Sequence, residues 1–430
     1  MTAAMNDVVP APLPDWLSEE YANLRTDGVL DLFGSIGDAR AVALAPRVRS
    51  HGGLTKLVFC AEGLSNAAVA ALADVGLDVE VEYASAGHLD ALLPFADRVV
   101  GMRADASATG SLEGARTLSR FTSLRRLDTH LAAWDDDQLA VALETLGALE
   151  AVSLRGGALT GAGLAALPNP AALRSLDLTE LGPCHITGPG FAITDEWSVL
   201  SRFAGLQSFD GALNRLEGDA LGGLAAAPKL LHLSLIGMKW AKPGLKFLGA
   251  LGALERLNWN VAGTAKALDA AIPRLTRLRE LSLLDKASDA TLAALAAHCP
   301  SLKGLALQAG DVTDAGVAQL AALAELESLG VRGDGVTDAC AEALSSFPAL
   351  RALRVTKTSV SDAFVEAVAR SLPSLHGLDL GRTAVTDACV DALIGIGSLH
   401  SVGLGKTKVS KKGITRLRAA RPDLHVSTYA

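Results

Sequence analysis

One short pattern recurs along most of this 430-residue chain and constrains its fold more than any other feature. The pattern is L-x-x-L-x-L, in which other residues, mostly apolar, replace some of the leucines. Ten of the eleven spacings between successive copies are 24 or 25 residues, and the spacing from Leu173 to Leu206 is 33. A period of this length predicts stacked supersecondary units, although the length alone is typical of two or three compact domains. The copies begin at Leu124, Leu149, Leu173, Leu206, Leu230, Leu254, Leu278, Leu302, Leu326, Leu350, Leu375 and Leu399.

A second consensus follows ten residues after several of these starts. It reads V-T-D-A-G at Val312 and returns with small changes at Val336, Val360 and Val385. Alternating apolar residues in the first pattern predict a short strand with one buried face. In the second, Thr313 is suited to cap a helix, and Asp314 would lie against the positive end of the helix dipole. Each unit is therefore predicted to be a strand, a turn and a short helix.

These two patterns together resemble the leucine-rich-repeat family, from Leu54 to the carboxyl terminus. The resemblance implies an α/β solenoid that is curved, with a parallel β-sheet on its concave face and short helices on its convex face. The 24-residue period and the V-T-D-A-G helix start resemble the ribonuclease-inhibitor-like and F-box-associated subtypes, which are also common in bacteria. Where the family usually has an asparagine ladder, this chain has Asn214 once and then Asp334, Thr358, Thr383 and Thr407, whose side chains can bond to the turn backbone.

The domain organisation follows from the repeats. Residues 1–53 are predicted to be an amino-terminal tail and helical cap, with one helix starting at Trp16 and a repeat-like helix at 36–44. Residues 54–430 are predicted to be the solenoid, with degenerate repeats at 54–123, regular repeats from 124 and a last half-repeat at 424–430. A degenerate F-box starting near Leu13 and Pro14 is the alternative for the first segment.

Composition excludes several classes of function. The chain is 50% hydrophobic but only 4% aromatic, and its net charge of −8 argues against a general nucleic-acid binder. No stretch approaches the ~20 apolar residues of a membrane helix, and the first residues lack the pattern of a signal peptide. No nucleophile, metal-ligand spacing or cofactor motif stands out, so we expect no enzymatic activity, cofactor or metal. The acidic run 135–137 is interpreted as a helix start.

The cysteines and tryptophans are interpreted as core residues of the repeats. By register, Trp134, Trp197, Trp240 and Trp259 are predicted to be buried. Cys340 and Cys389 share a column two repeats apart, or about 10 Å at about 4.8 Å per strand, which is too far for a disulfide. The five cysteines are therefore expected to be free thiols, which predicts a reducing, cytoplasmic location.

Positions three, five and seven of each repeat are predicted to point out of the concave face of the sheet. In the middle of the array these positions are polar, and towards the carboxyl end they become small, as at Gly304 and Gly330. Because no Trp or Tyr falls in these columns, arginine is the expected energetic anchor. The predicted concave-face binding residues are Arg126, Asp128, His130, Arg155, Asp177, Asp210, His232, Arg256, Asn258, Asn260 and Glu280.

Two other segments are candidate contact sites. The long repeat contains an insertion at 182–191, in which His185 and Phe191 are predicted to be exposed to a partner. The carboxyl end carries basic side chains spaced by one repeat, followed by a basic helix, which predicts contact with an anionic surface. This basic patch comprises Lys357, Arg382, Lys406, Lys408, Lys411 and Lys412.

The sequence thus predicts a non-catalytic protein-interaction module or scaffold that binds a protein partner on its concave face and on the 182–191 loop. The alternatives are an F-box-like adaptor of ubiquitin ligases and a protein that docks on anionic surfaces or membranes through its basic carboxyl end. No nucleic-acid partner is expected, and a monomer or a weakly self-associating protein is predicted.

Overall fold

The computed structural model contains two compact units, Met1–Arg215 (unit 1) and Leu216–Ala430 (unit 2), and each is described by itself. The repeat pattern has no interruption at this division, and the sequence did not predict it. The structure describes residues 10–11, 22–33, 36–105, 108, 111–130, 134–155, 159, 161–179, 195–212, 215–217, 219–241, 244–283, 287–307 and 310–429.

Unit 1 is a sheet whose strands follow one another in chain order. From β3 to β10 each strand pairs in parallel with the next, whereas β1 and β2 form antiparallel pairs at the amino-terminal end. The strands are β1 (Pro10–Ala11), β2 (Ala22–Arg25), β3 (Val29–Leu32), β4 (Lys56–Cys60), β5 (Asp78–Ala84), β6 (Val99–Ala104), β7 (Arg126–His130), β8 (Ala151–Arg155), β9 (Ser175–Leu178) and β10 (Ser208–Gly211).

Short helices connect the strands of unit 1 and cover one face of its sheet. The α-helices are α1 (Asp38–Ser50), α2 (Asn66–Ala73), α3 (Ala86–Leu92), α4 (Leu112–Leu118) and α5 (Asp136–Leu143). The 3-10 helices are Leu93–Phe95, Ala162–Ala166, Pro170–Ala172 and Asp195–Arg202. The sequence analysis did not predict the β2–β3 hairpin, whereas α1 covers most of the predicted repeat-like helix at 36–44.

Unit 2 repeats this architecture, with parallel pairing between successive strands from β12 to β20. The short strand β11 (Arg215–Glu217) spans the division between the units. The other strands are β12 (His232–Ala241), β13 (Arg256–Ala262), β14 (Glu280–Leu283), β15 (Gly304–Leu307), β16 (Ser328–Arg332), β17 (Ala352–Thr356), β18 (Gly377–Asp379), β19 (Ser401–Gly403) and β20 (His425–Ser427).

The helices of unit 2 are also one to three turns long. The α-helices are α6 (Ala265–Ala271), α7 (Asp289–His298), α8 (Asp314–Gln319), α9 (Ala341–Leu344), α10 (Asp362–Ser371), α11 (Val390–Gly395) and α12 (Lys411–Ala420). The 3-10 helices are Gly222–Ala226, Lys246–Ala250, Ile272–Arg274, Leu320–Ala322, Asp338–Cys340 and Asp387–Cys389.

The leucine columns form the core, as the repeat register predicts. In β4, for example, Leu57 and Phe59 are fully buried while the residues between them face outwards. Trp134, Trp197 and Trp259 are buried with at most 1% exposure, which confirms their assignment to the core. Trp16 and the side chain of Trp240 lie outside the described residues. The repeats thus bury these three tryptophans together with the leucine columns.

The helix starts also follow the sequence prediction. Thr313 is the residue before α8, and its hydroxyl accepts a hydrogen bond from the backbone N–H of Ala315. Asp135 caps α5 and exchanges two hydrogen bonds with Gln138, which confirms that the acidic run is a helix start. The hydroxyl groups of Thr358 and Thr383 donate to carbonyl groups three residues earlier, so these residues do bond to their own turns.

Candidate interaction surface

Strand register in unit 1 brings several predicted binding residues onto one face of the sheet. Arg126 pairs with Ala151, Asp128 with Ser153, and Ser153 with Asp177 on the next strand. Because side chains alternate across a strand, residues in register lie on the same face at about 4.8 Å per strand. Asp177 is in turn paired with Asp210. The predicted polar columns therefore exist in unit 1.

These columns line an open groove of about 410 Å³ across β5 to β9. Charged side chains of both signs line it, together with small and apolar residues. We call it the charged groove. Its polar and small lining residues are Glu80, Glu82, Gly101, Arg103, Arg126, Asp128, Ala151, Ser153, Arg155, Ser175 and Asp177.

Glu80 is the buried carboxylate at one end of the charged groove, with a side chain only 8% exposed. Its carboxylate forms ion pairs with Lys56 at 2.7 Å and with Arg126, two strands away. The second pair is possible because β6 has Gly101 between them, where a Cβ atom would lie 2.8 Å from Cγ of Glu80. Burial lowers the pKa of both Lys56 and Arg126.

Arg126 differs from the other groove arginines in its exposure. Its side chain is 60% exposed, whereas that of Arg155 is 17% exposed. A guanidinium group has five N–H donors, and the pair with Glu80 leaves most of those of Arg126 facing solvent. Arg126 is therefore the groove arginine best placed to contact another molecule.

Asp128 lies between two arginines at the centre of the charged groove. One carboxylate oxygen is 3.0 Å from a terminal nitrogen of Arg155 and 3.4 Å from Nε of Arg103. Burial raises the pKa of Asp128, and the two arginines oppose this shift. The Nε atom of Arg155 is buried and forms no hydrogen bond within the described part of the chain. Electrostatic attraction between Asp128 and the two arginines thus holds this cluster together at a site that is partly shielded from solvent.

Asp177 is oriented by neutral donors at the other end of the charged groove. Its carboxylate accepts hydrogen bonds from Ser153 Oγ at 3.2 Å and from both the backbone N–H and the hydroxyl of Thr179, at 2.8 and 2.6 Å. These bonds fix the carboxylate without neutralising it. Asp177 therefore presents an oriented negative charge.

Sequence reasoning missed four residues at the edge of this surface: Glu80, Glu82, Tyr83 and Arg103. No tyrosine was expected in the binding columns, and Tyr83 lies beside them: it is 42% exposed, and its ring centroid is 4.5 Å from the Arg103 guanidinium. The miss has a structural cause. The register of β5 against β6 shifts twice, and Tyr83 has a φ of 57° there, so the repeat pattern does not fit. The alternation of acidic residues and valine in β5 was the available signal.

The remaining predicted strand-face residues lie in unit 2. Register pairs His232 with Arg256 and Arg256 with Glu280, and places Asn258 one column further along the same face. Asn260 follows in the next column. Arg256 and Glu280 are exposed, whereas Asn258 is half-buried and its Oδ1 atom accepts no hydrogen bond in the described structure. The predicted columns thus occur as two sets, one in each unit.

Three predicted residues cannot be placed. The insertion with His185 and Phe191 lies outside the described residues, and so does the side chain of His130. Their roles stay predictions.

The predicted basic patch has a specific backbone conformation. Lys357, Arg382 and Lys406 all lie in the left-handed region, with φ of 51°, 60° and 55°. Lys408, Lys411 and Lys412 are exposed, and the last two form the first turn of α12.

Three arginines near the basic patch have structural contacts instead. Arg416 forms an ion pair with Asp391, and Arg418 donates to the carbonyl of Val426 at 2.9 Å. Arg421 donates to the carbonyl groups of Ile396 and Leu399, at 2.9 and 2.8 Å, and pairs with Asp423. These three side chains hold the carboxyl-terminal repeat together.

The described residues also bear on metal, thiol and membrane chemistry. Within them, no group of three or more His, Cys, Asp or Glu side chains is arranged to hold a metal ion, and no helix is long and apolar enough to cross a membrane. Cys299, Cys340 and Cys389 are buried free thiols, and Cys60 is a half-buried one. Burial raises the pKa of Cys299 to about 11 and that of Cys340 to about 12. Cys184 lies outside the described part of the chain.

Comparisons with known proteins agree with this architecture. A leucine-rich-repeat protein of Leptospira interrogans superimposes with a TM-score of 0.51 at 16% identity, over 87% of this chain and 90% of that one. An internalin from Listeria monocytogenes gives 0.48 at 17% identity, over 83% and 88%. No protein-family model and no curated protein matches the chain.

The chain therefore has the leucine-rich-repeat fold, an α/β solenoid of parallel strands and short helices. This confirms the fold class predicted from the sequence, and with it the resemblance to leucine-rich-repeat proteins at the level of the fold. The repeat subtype stays a prediction.

Proposed function

We propose that this chain is a non-catalytic protein-interaction module and that its partner contacts the charged groove of unit 1. The proposal rests on one observation above all. Three arginines and four carboxylates line one face of five successive strands, and Arg126 keeps most of its donors exposed. Charges of both signs on a fixed surface select a partner with complementary charges and set its register.

The dimensions of the charged groove favour a polypeptide as the ligand. Five strands at about 4.8 Å span about 19 Å, which suits a loop or an extended segment of a protein. The stacked pair of Tyr83 and Arg103 at its edge combines the two residue types that are enriched in binding hot spots. A tyrosine with positive φ is strained, and such strain is concentrated at functional sites.

Affinity capture with matched variants tests this proposal. The groove variant is Arg126→Gln with Asp177→Asn, which removes one charge of each sign. The control variant is Glu113→Gln with Arg116→Gln, which makes the same change on exposed positions of α4. We expect at least one protein to be enriched by the wild type and the control and lost with the groove variant. Identical capture by all three proteins would contradict the proposal.

We propose that residues 22–53 form the amino-terminal cap of the sheet. The parallel pairing of β3 with β4 and the buried position of Leu30 support this, because the segment already completes the sheet next to the first repeat. An F-box-like adaptor would need the same segment free to bind a Skp1-type protein. Binding of such a protein to the isolated full-length chain would favour the adaptor instead.

We also propose that the protein is located in the reducing environment of the cytoplasm. The four described cysteines are free, and three of them are buried where oxidation would disrupt packing. Protein isolated from its native source with its thiols trapped by alkylation should contain only free cysteines in peptide mapping, and disulfide-bonded cysteines there would argue against this location.

A further inference from the structure

One part of the sheet in unit 2 is longer along its strands than the rest. Strands β12 and β13 have 10 and 7 residues, whereas β14 to β20 have three to five residues each. At about 3.3 Å per residue, β13 presents an outward face about 23 Å long. Its outward side chains are Arg256, Asn258, Asn260 and Ala262. We call this row the β13 face.

The described part of the fold does not use the two carboxamide groups of the β13 face. Neither Asn258 nor Asn260 forms a side-chain hydrogen bond with the residues that the structure describes, and Oδ1 of Asn258 is also shielded from solvent. This is unusual, because buried polar groups in proteins are nearly always hydrogen-bonded. Since no such bond fixes the carboxamide, rotation about the Cβ–Cγ bond of Asn258 can turn its oxygen towards a molecule that lies on the sheet.

Two exposed charges of opposite sign lie at one end of the β13 face. Arg256 is in register with Glu280 on β14, but among the described residues neither side chain forms an ion pair. The glycine that follows in this column leaves room for Glu280 to lie towards β15, since a Cβ atom on Gly304 would be 3.6 Å from Cγ of Glu280. Arg256 thus favours a carboxylate in a bound molecule, and Glu280 favours a basic group beside that carboxylate.

The spacing of the two asparagines matches the backbone of an extended polypeptide. Asn258 and Asn260 are two residues apart on one strand, so their carboxamides are about 6.6 Å apart. In an extended chain the N–H and C=O groups of alternate residues point to the same edge, with the same repeat. A carboxamide has both a donor and an acceptor, so each asparagine can bond to the N–H and the C=O of one residue of such a chain.

The neighbouring strands leave room beside the asparagines. Register places Asn258 between Ser234 on β12 and Ser282 on β14, and both serines are shorter than asparagine. Asn260 is paired with Ile236, which is 37% exposed and offers an apolar contact. A polypeptide with one edge towards β13 therefore has space for its side chains above the serines of β12 and β14.

We infer that the β13 face is a second interaction surface, which binds the backbone of an extended polypeptide segment through Asn258 and Asn260. The segment lies along β13 with one edge towards the sheet, and a carboxylate near one of its ends pairs with Arg256. Hydrogen bonds to the backbone give affinity, whereas Arg256 and Glu280 give a preference for charge at one end of the segment. The β13 face belongs to unit 2 and shares no residue with the charged groove of unit 1.

The test uses random heptapeptides that are displayed on phage and selected on the full-length wild-type chain. Selected peptides are synthesised with a fluorescent label, and fluorescence anisotropy gives their dissociation constants. The face variant is Asn258→Ser with Asn260→Ser. The matched control is Asn23→Ser with Asn169→Ser, which removes two exposed carboxamides elsewhere. Each peptide is also made in two N-methylated forms, with methyl groups on the backbone nitrogens of either the odd-numbered or the even-numbered residues.

We expect the selection to yield peptides that the face variant binds at least tenfold more weakly than the wild type and the control do. For these peptides, one N-methylated form should bind the wild type at least tenfold more weakly than the unmethylated peptide does. The other form should stay within threefold, because only one edge of the peptide faces Asn258 and Asn260. The groove variant, Arg126→Gln with Asp177→Asn, should bind the peptides as the wild type does.

A selection that yields no peptide dependent on the two asparagines would overturn the inference. Equal effects of the two N-methylated forms would also overturn it, because the peptide would then not bind along one edge of its backbone. Peptides that lose affinity only with the groove variant would overturn it in favour of the charged groove. If the face variant does not fold, the single variant Asn260→Ser replaces it in the same comparison.

Discussion

At the scale of single residues, the aspartate of each V-T-D-A unit has a larger role than its position at a helix start suggests. Asp338 accepts hydrogen bonds from the backbone N–H and the hydroxyl of Ser361 in the next repeat, at 2.7 and 2.6 Å. The same pair of bonds recurs in four other places. The other pairs are Asp289 with Thr313, Asp314 with Thr337, Asp362 with Thr386 and Asp387 with Ser410.

We call these bonds between successive repeats the aspartate ladder. They could not be predicted from the sequence of a single repeat. The sequence placed Asp314 correctly at the first turn of a helix, and the dipole argument still holds. The bond to the following repeat depends on how successive repeats stack, and a pattern within one repeat gives no distance between neighbouring repeats. The 24-residue period predicts that the repeats stack, but it does not identify the hydrogen-bond partner of each carboxylate.

Replacement of Asp338 by alanine should destabilise unit 2 by about 1–2 kcal/mol. The change leaves the N–H and the hydroxyl of Ser361 without their acceptor, at the start of α10. Urea unfolding followed by circular dichroism measures the effect. The matched control is Glu342→Ala, an exposed change in the next helix, which should stay within about 0.5 kcal/mol. Equal effects of the two changes would contradict the ladder.

The aspartate ladder should also make stability depend on acid pH. Hydrogen bonds from Ser410 lower the pKa of Asp387 below that of an unfolded aspartate, which is about 3.9. The stabilisation is therefore complete above about pH 4 and is lost as the pH falls towards the lower folded value. The urea midpoint of wild type should fall more steeply between pH 5 and 3 than that of Asp387→Asn. Parallel curves for the two proteins would exclude this contribution.

Thiol reactivity is the third expectation at this scale. Burial, reinforced by Asp362 and Asp387, raises the pKa of Cys389 to about 12, and the pKa of Cys340 is similar. At pH 8 only about one such thiol in ten thousand is ionised, and the thiolate is the reactive form. Iodoacetamide with peptide mapping should label Cys60 in the native protein and reach Cys340 and Cys389 only after denaturation. Early labelling of the buried pair would contradict the described packing.

At the scale of elements, the regular strands and helix starts were predictable, and the irregular ones were not. From Leu278 onwards the leucine columns give the strands to within a few residues, because each buried position repeats. The β2–β3 hairpin and the shifted register of β5 have no repeat to follow. Since β5 contributes Glu80 and Glu82, and Tyr83 beside them, this end of the charged groove was hidden from the repeat pattern.

Strand β6 provides a test of how the groove is built. An alanine at Gly101 would bring Cβ to 2.8 Å from the Glu80 side chain, which must move away from Arg126. Stability should fall by about 1–3 kcal/mol, because the buried Glu80 side chain must shift from Cγ outwards, and partner affinity should fall about fivefold. Gly52→Ala is the control, since no atom lies within 4 Å of its added Cβ. Unchanged affinity in Gly101→Ala would show that the Glu80–Arg126 pair does not shape the binding surface.

At the scale of the whole molecule, the repeat predicts the fold but not how its surface is divided among functions. Outward positions of every repeat look alike in sequence, and the polar columns from Arg126 to Glu280 were expected to act as one set. The structure assigns them to two units. Which column of outward-facing side chains binds a partner depends on how deeply each charged group is buried and on whether it forms an ion pair. In unit 1 these leave Arg126 exposed and fix Asp177.

The most direct test of the proposed function is the dissociation constant of the captured partner, measured by isothermal titration calorimetry. The wild type and the control variant Glu113→Gln with Arg116→Gln should bind with the same affinity. Arg126→Gln with Asp177→Asn should bind at least tenfold more weakly, or by about 1.4 kcal/mol, at a temperature well below the melting temperatures of all three proteins. Equal dissociation constants for all three proteins would contradict the assignment of the charged groove as the binding site.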